Sequence, residues 1–131
     1  GGGRVYYQVD LGSIAQDLGC RPTQDLSCWV PDLVVRLSGG GLAVVEVKAS
    51  DVEDYIVDGL RQAKGYVHAL GRAGCGGSEP MAALLYYTTA EEANVESDEC
   101  ADVLGVRAAG LSMRVKDDEE RLLRLLGLEG R

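Results

Sequence analysis

Leu11, Ile14, Ala15 and Leu18 recur at helical spacing, which predicts a short amphipathic helix over residues 10–19 stopped at Gly19. The chain then turns β-rich in LSCWVPDLVVRL (26–37), and the SGGG run at 38–41 connects it tightly to LAVVEVK (42–48), predicting a β-hairpin. Ser50 and Glu53 have the spacing of a capping box, and Ile56, Leu60, Ala63, Val67 and Leu70 follow as one apolar stripe, so residues 51–71 read as a long helix. MAALLYYTT (81–89) is a buried strand that needs cover on both faces. Thr89 and Glu92 predict a second capping box, residues 98–108 a helix with Gly110 near its end, LSMRV a last strand, and ERLLRLL a final helix capped by Asp117 and Glu120 and stopped by Gly127.

The expected order is therefore α, β, β, β, α, β, α, β, α, with a strand before Pro31 supplying the first β element. A hairpin followed by alternating helices and strands belongs to the α/β class: a mixed sheet flanked by helices, with a parallel crossover from the strand ending at Lys48 to the strand at 81. At 131 residues the chain reads as a single domain, 1–131. Its triple-glycine start without Met suggests a flexible lead and a piece of a longer protein. No apolar run has the length of a membrane span and the start has no signal-peptide pattern, so the expectation is a cytoplasmic protein with no membrane partner.

Cys20, Cys28, Cys75 and Cys100 stand far apart with no CxxC pair and a single histidine in the chain, so no structural metal is expected and they are expected to be thiols rather than disulfides. A net charge of −8 argues against a nucleic-acid partner on average, but ten of the 21 acids fall between Glu91 and Glu120 while the Lys and Arg residues are spread along the chain. Trp29 and the pairs Tyr6–Tyr7 and Tyr86–Tyr87 are assigned to the core, His68 to the solvated side of its helix.

The hairpin carries three residues that an apolar strand pair does not need: Asp32, Glu46 and Lys48. Buried charges are costly unless paired or bound to metal. Glu46 and Lys48 share a face about 7 Å apart along the strand. Asp32 joins them only in one register. A two-residue turn at Gly39–Gly40 places it opposite Val47, whereas a three-residue loop over 38–40 places it opposite Glu46, and a glycine accepting positive φ makes that loop accessible. In the second register two carboxylates and the Val47 carbonyl can hold Mg²⁺ or Mn²⁺, and Lys48 can serve the attacking water of a phosphodiester hydrolysis. Arg36 would then share the face of Asp32, as a phosphate contact or as partner to one of the acids.

Pro31-Asp32, thirteen intervening residues and Glu46-Val47-Lys48 across a hairpin resemble the motif of the PD-(D/E)xK nuclease superfamily, whose fold is restriction-endonuclease-like with an αβββαβ core. Gln62 and Tyr66, one turn apart in QAKGY with Tyr55 on the same stripe, resemble the QxxxY signature of RecB-type nuclease domains; helix-edge packing is the other reading of that pair. The resemblance implies a metal-dependent nuclease, endo- or exonucleolytic and acting on DNA, of the kind used in DNA repair or defence. Asp32 and Glu46 would be metal ligands, Lys48 catalytic, and Gln62 and Tyr66 positioning groups; Arg61 and Lys64 would meet phosphates. For an upstream ligand the chain offers Asp10, Asp17 or Gln8. A homodimer or a domain of a larger protein is expected, because one small acidic domain grips long DNA poorly. The alternative is a noncatalytic nuclease-like module that binds nucleic acid or a protein partner.

Overall fold

Alternation along the hairpin determines how this chain folds, because Val34, Leu42 and Val44 point to one side and are fully or almost fully buried there. In the computed structural model, residues 4–37, 39–50, 52–75, 80–88 and, as backbone, 106–112 are described. They form β1 (Arg4–Tyr7), α1 (Leu11–Leu18), β2 (Leu33–Arg36), β3 (Leu42–Lys48), α2 (Glu53–Arg72), β4 (Met81–Thr88) and β5 (Val106–Ser112). The strands make a mixed sheet in the order β1-β2-β3-β4-β5, antiparallel from β1 to β3 and parallel from β3 to β5. The fold is α/β, with the expected parallel step from β3 to β4.

Both helices pack on the sheet face that carries Val34, Val44, Ala82 and Leu84. From α1 come Leu11, Ile14 and Ala15, and from α2 the whole stripe read from the sequence, Ile56, Leu60, Ala63, Val67 and Leu70. Val45, Ala83 and Leu85, on the reverse face, are buried as well. Helix α2 crosses β3 very closely at Gly59: a Cβ there would lie 2.6 Å from Leu84 Cδ1 and 3.1 Å from both Cγ and Cε of Lys48. Glycine at this mid-helix position lets α2 settle onto the aliphatic stem of Lys48.

Several elements differ from expectation for local reasons. Chain order begins with a strand rather than a helix: β1 supplies the third antiparallel strand, and LSCWV is not one. There the Asp25 carboxylate accepts a hydrogen bond from Ser27 N–H at 2.9 Å and Trp29 N–H turns back to the Leu26 carbonyl at 3.2 Å, so side-chain and turn bonds take the place of a ladder. β1 escaped notice because its four residues turn only Tyr6 inward, while Val5 and Tyr7 are exposed. Among the aromatics assigned to the core, Tyr86 is buried and Tyr6 partly so, but Trp29, Tyr7 and Tyr87 are exposed. The capping box at Ser50 does not form; Ser50 Oγ accepts from Val52 N–H at 3.1 Å, and the helix starts at Glu53 with Val52 as its cap. β5 begins at Val106, inside the helix expected over 98–108 and ahead of the strand expected at LSMRV, and it contains Gly110. The remainder of that helix, the capping box at Thr89 and the helix after Asp117 lie outside the described residues.

The cysteines also depart from the reading as thiols. Cys20 and Cys75 form a disulfide with a Cα–Cα distance of 5.3 Å; Cys28 is free and exposed, and Cys100 lies outside the described residues. Sequence spacing could not reveal the pair, because both helices present it by ending alike. In each, a left-handed glycine (Gly19, Gly74) is followed by a cysteine whose N–H reaches five residues back, Cys20 to Ala15 at 2.9 Å and Cys75 to Leu70 at 3.1 Å. Disulfides persist in oxidising compartments and in some thermophile cytosols. No described helix is long and apolar enough to cross a membrane.

Two glycines of α2 should respond oppositely to alanine. Gly65 has open space around its Cβ position, so Gly65→Ala should stabilise by roughly 0.5–1 kcal/mol through helix propensity. At Gly59 the added methyl meets Leu84, itself fully buried, and Gly59→Ala should be net destabilising because overpacking costs about 1–3 kcal/mol. Urea unfolding midpoints of the two variants check the opposed signs.

Candidate active site

The hairpin takes the three-residue loop. Leu37 N–H donates to the Gly41 carbonyl at 2.8 Å, Gly40 N–H donates to Leu37 at 2.9 Å, and Gly40 has φ 91°. The ladder runs from Arg36↔Leu42 to Leu33↔Val45, and one further step sets Asp32 across from Glu46. The backbone then locks the two carboxyl groups crosswise. Asp32 N–H donates to Glu46 Oε1 at 3.1 Å, and Val47 N–H donates to Asp32 Oδ2 at 2.8 Å.

Glu46 is 4% exposed and is the one buried charged side chain among the described residues. Its carboxyl is pushed up to about 8, first by burial and then by the neighbouring Asp32, with Lys48 pulling only weakly the other way. Lys48 leaves the strand on the same face, folds its stem under Gly59 and brings Nζ to 3.9 Å from Asp58 Oδ2. Asp58, a residue the sequence did not single out, thus lies beside the ammonium, while Lys48 is the smallest of the influences on Glu46. The Val47 N–H faces Asp32, and because the N–H and C=O of one strand residue point the same way, its carbonyl turns to the same β2 side, beyond Leu33 at the start of β2. Two carboxylates and a carbonyl form an all-oxygen donor set that fits a hard divalent cation such as Mg²⁺ or Mn²⁺. No group of three or more His, Cys, Asp and Glu comes together among the described residues.

Tyr66 reaches this site from α2. Its phenol is pushed up by burial and by the negative charge of Glu46 and Asp32, its hydroxyl donates to the Val30 carbonyl at 3.4 Å, and its ring meets Trp29 edge-on at 6.2 Å. Gln62 lines a cleft of about 310 Å³ with Tyr66, Trp29, Cys28 and Gly65, so the QxxxY pair faces one opening. Arg61 and Lys64 lie in a neighbouring groove that shares Trp29 and Gly65. Tyr55 is exposed toward the start of α2.

Of the upstream candidates, Asp10 caps α1 by accepting from Ser13 N–H at 2.9 Å and Ser13 Oγ at 2.7 Å. Asp17 is held by Arg4 at 2.6 Å and by the Tyr6 hydroxyl. Gln8 is the candidate beside the acid pair: its N–H donates to the Asp32 carbonyl at 3.1 Å, and it has φ 49°, a conformation uncommon outside glycine. Arg36 pairs across the sheet with Arg4 and acts on Asp17, four residues along β2 from Asp32, so it serves neither acid of the site.

A raised carboxyl makes a signed prediction. Below the ordinary value of 4.5 both folded and unfolded chains hold the Glu46 proton; between 4.5 and about 8 the folded chain keeps a proton that the unfolded chain has released. Metal-free stability should therefore fall as pH rises through that window, and Glu46→Gln should flatten the fall and exceed the wild type at pH 8.5. Urea unfolding at several pH values in chelator measures both. Comparison with family models, with curated proteins and with solved structures finds no match to this chain.

Proposed function

We propose that the chain is a metal-dependent nuclease of the PD-(D/E)xK type that hydrolyses phosphodiester bonds in DNA, with a restriction-endonuclease-like arrangement of its sheet and helices. The observation that carries this reading is the register of the hairpin, which sets Asp32 against a buried Glu46 with Lys48 next on the same face. Asp32, Glu46 and the Val47 carbonyl would hold Mg²⁺ or Mn²⁺. When bound, the ion supplies Lewis acidity toward the phosphate and makes water nucleophilic near neutral pH.

The protein groups have separate work. Glu46 must lose its proton to act as a ligand, so the same burial that raises it couples activity to pH. Lys48, braced by Gly59 and Asp58, holds a positive charge where it can orient the attacking water or neutralise charge developing on the phosphate. Gln62 and Tyr66, which share a cleft, would position the strand, while Arg61 and Lys64 would offer charge-assisted contacts to its phosphates. Gln8, whose backbone bonds that of Asp32, is the upstream ligand candidate this reading favours. A second copy or further domains would supply the grip that a net charge of −8 withholds.

A labelled panel of single-stranded, duplex, flap and junction DNA and of RNA, incubated with Mg²⁺ or Mn²⁺, tests the reading. Cutting that needs the ion and falls at least about 100-fold in both Glu46→Ala and Lys48→Ala is expected. Binding without cutting by the folded wild type on every substrate would instead identify a noncatalytic module.

A further inference from the structure

Helix α2 is divided by charge. Its first turns carry Glu53, Asp54 and Asp58, whereas Arg61, Lys64, His68 and Arg72 follow on the side that, with Gln24 and Trp29, lines a groove of about 350 Å³. At 1.5 Å per residue, Arg61 and Arg72 stand about 16 Å apart along the helix. No carboxylate lines this groove among the described residues, in a chain whose net charge is −8. The concentration of positive charge is therefore local. Arg72 alone would suit the negative end of the helix, but Arg61 lies mid-helix, where the dipole gives no reason for it.

Trp29 joins this groove to the cleft of Gln62 and Tyr66, and the Tyr66 hydroxyl donates to the Val30 carbonyl, two residues before Asp32. Trp29 lines both clefts, is 38% exposed, and is braced edge-on by Tyr66, whose phenol feels the charges of Glu46 and Asp32. The indole is thus held by Tyr66, partly exposed, and set beside a basic groove. We infer that the substrate of this site is single-stranded nucleic acid, with one base stacked on Trp29 and the adjoining phosphates in the groove of Arg61, Lys64, His68 and Arg72. Paired bases within a duplex have no free face to offer the ring, whereas an unpaired strand does, and aromatic stacking beside a basic groove is the physical mode of single-strand binding. This inference rests on the nuclease reading for its relevance to cleavage, but the binding it describes is measurable without turnover.

Trp29 is the sole tryptophan of the chain, so its emission reports on this one position. Titration of the full chain with a thymidine 12-mer in chelator should quench that emission, and a duplex hairpin of equal length should bind several-fold more weakly. Measured by anisotropy of the labelled 12-mer, Trp29→Ala should weaken binding by roughly tenfold, Trp29→Phe should recover most of it, and Arg72→Ala should reduce the slope of log affinity against log salt by about 0.7. Emission that ignores the single strand, or equal affinity for the duplex, would overturn the inference. Cleavage assays of the same single strand and duplex with Mn²⁺, run beside the titration, separate the two readings. Quenching retained by a wild type that never cuts removes the nuclease and keeps the strand path; cutting of duplex without quenching does the reverse.

Discussion

A carboxyl group buried beside a second carboxyl group has to be held in place, and burial raises Glu46 to about 8 so that it keeps its proton at neutral pH. Here the holding is done by backbone. The Asp32 N–H fixes Glu46 and the Val47 N–H fixes Asp32, and both bonds exist only because a three-residue loop sets the hairpin register. A slip of one residue would send Asp32 to the other face of the sheet and leave Glu46 alone in the core. The apolar hairpin residues resist that slip, since it would also turn Val34 away from the helices it packs against. Fold stability and site geometry are thus enforced by the same alternation.

Helix α2 extends this economy. Its apolar stripe seals the core over β3 and β4, and the missing side chain at Gly59 draws it close enough to pin the Lys48 stem. Its next turns present Gln62 and Tyr66 to one opening and Arg61 and Lys64 to the groove beside it. Asp58 restrains the Lys48 ammonium from the same helix. One rigid element therefore positions the lysine, the aromatic ring that meets Trp29, and the basic groove, which is how a short chain can assemble a site from few parts.

Much of this was legible in the sequence where physics is local or periodic. The α2 stripe, the strand at 81, the short helix before Gly19 and the choice between two hairpin registers all follow from spacing, and the glycine run left the decisive register open rather than hidden. What escaped reading depends on tertiary neighbours. β1 gives no alternation to read because only Tyr6 turns inward, and the place expected for it at LSCWV is taken by an Asx turn at Asp25. The Cys20–Cys75 bridge needs two helix ends to meet. Trp29 reads as a core residue by type, and only the structure shows it partly exposed with its ring edge-on to Tyr66. Gly59 carried a signal that could have been used, since glycine inside a helical stripe usually marks a close approach.

Calorimetric titration of Mn²⁺ into the protein at pH 7, in two buffers of different ionisation enthalpy, tests the central claim most directly. A cation seated between Asp32 and a Glu46 carboxyl raised to about 8 must displace a proton, so binding should release close to one proton per ion, and both the binding and the release should collapse in Glu46→Gln. Absence of binding, or binding with no proton released and unchanged in the variant, would contradict a metal centre built on the buried acid pair.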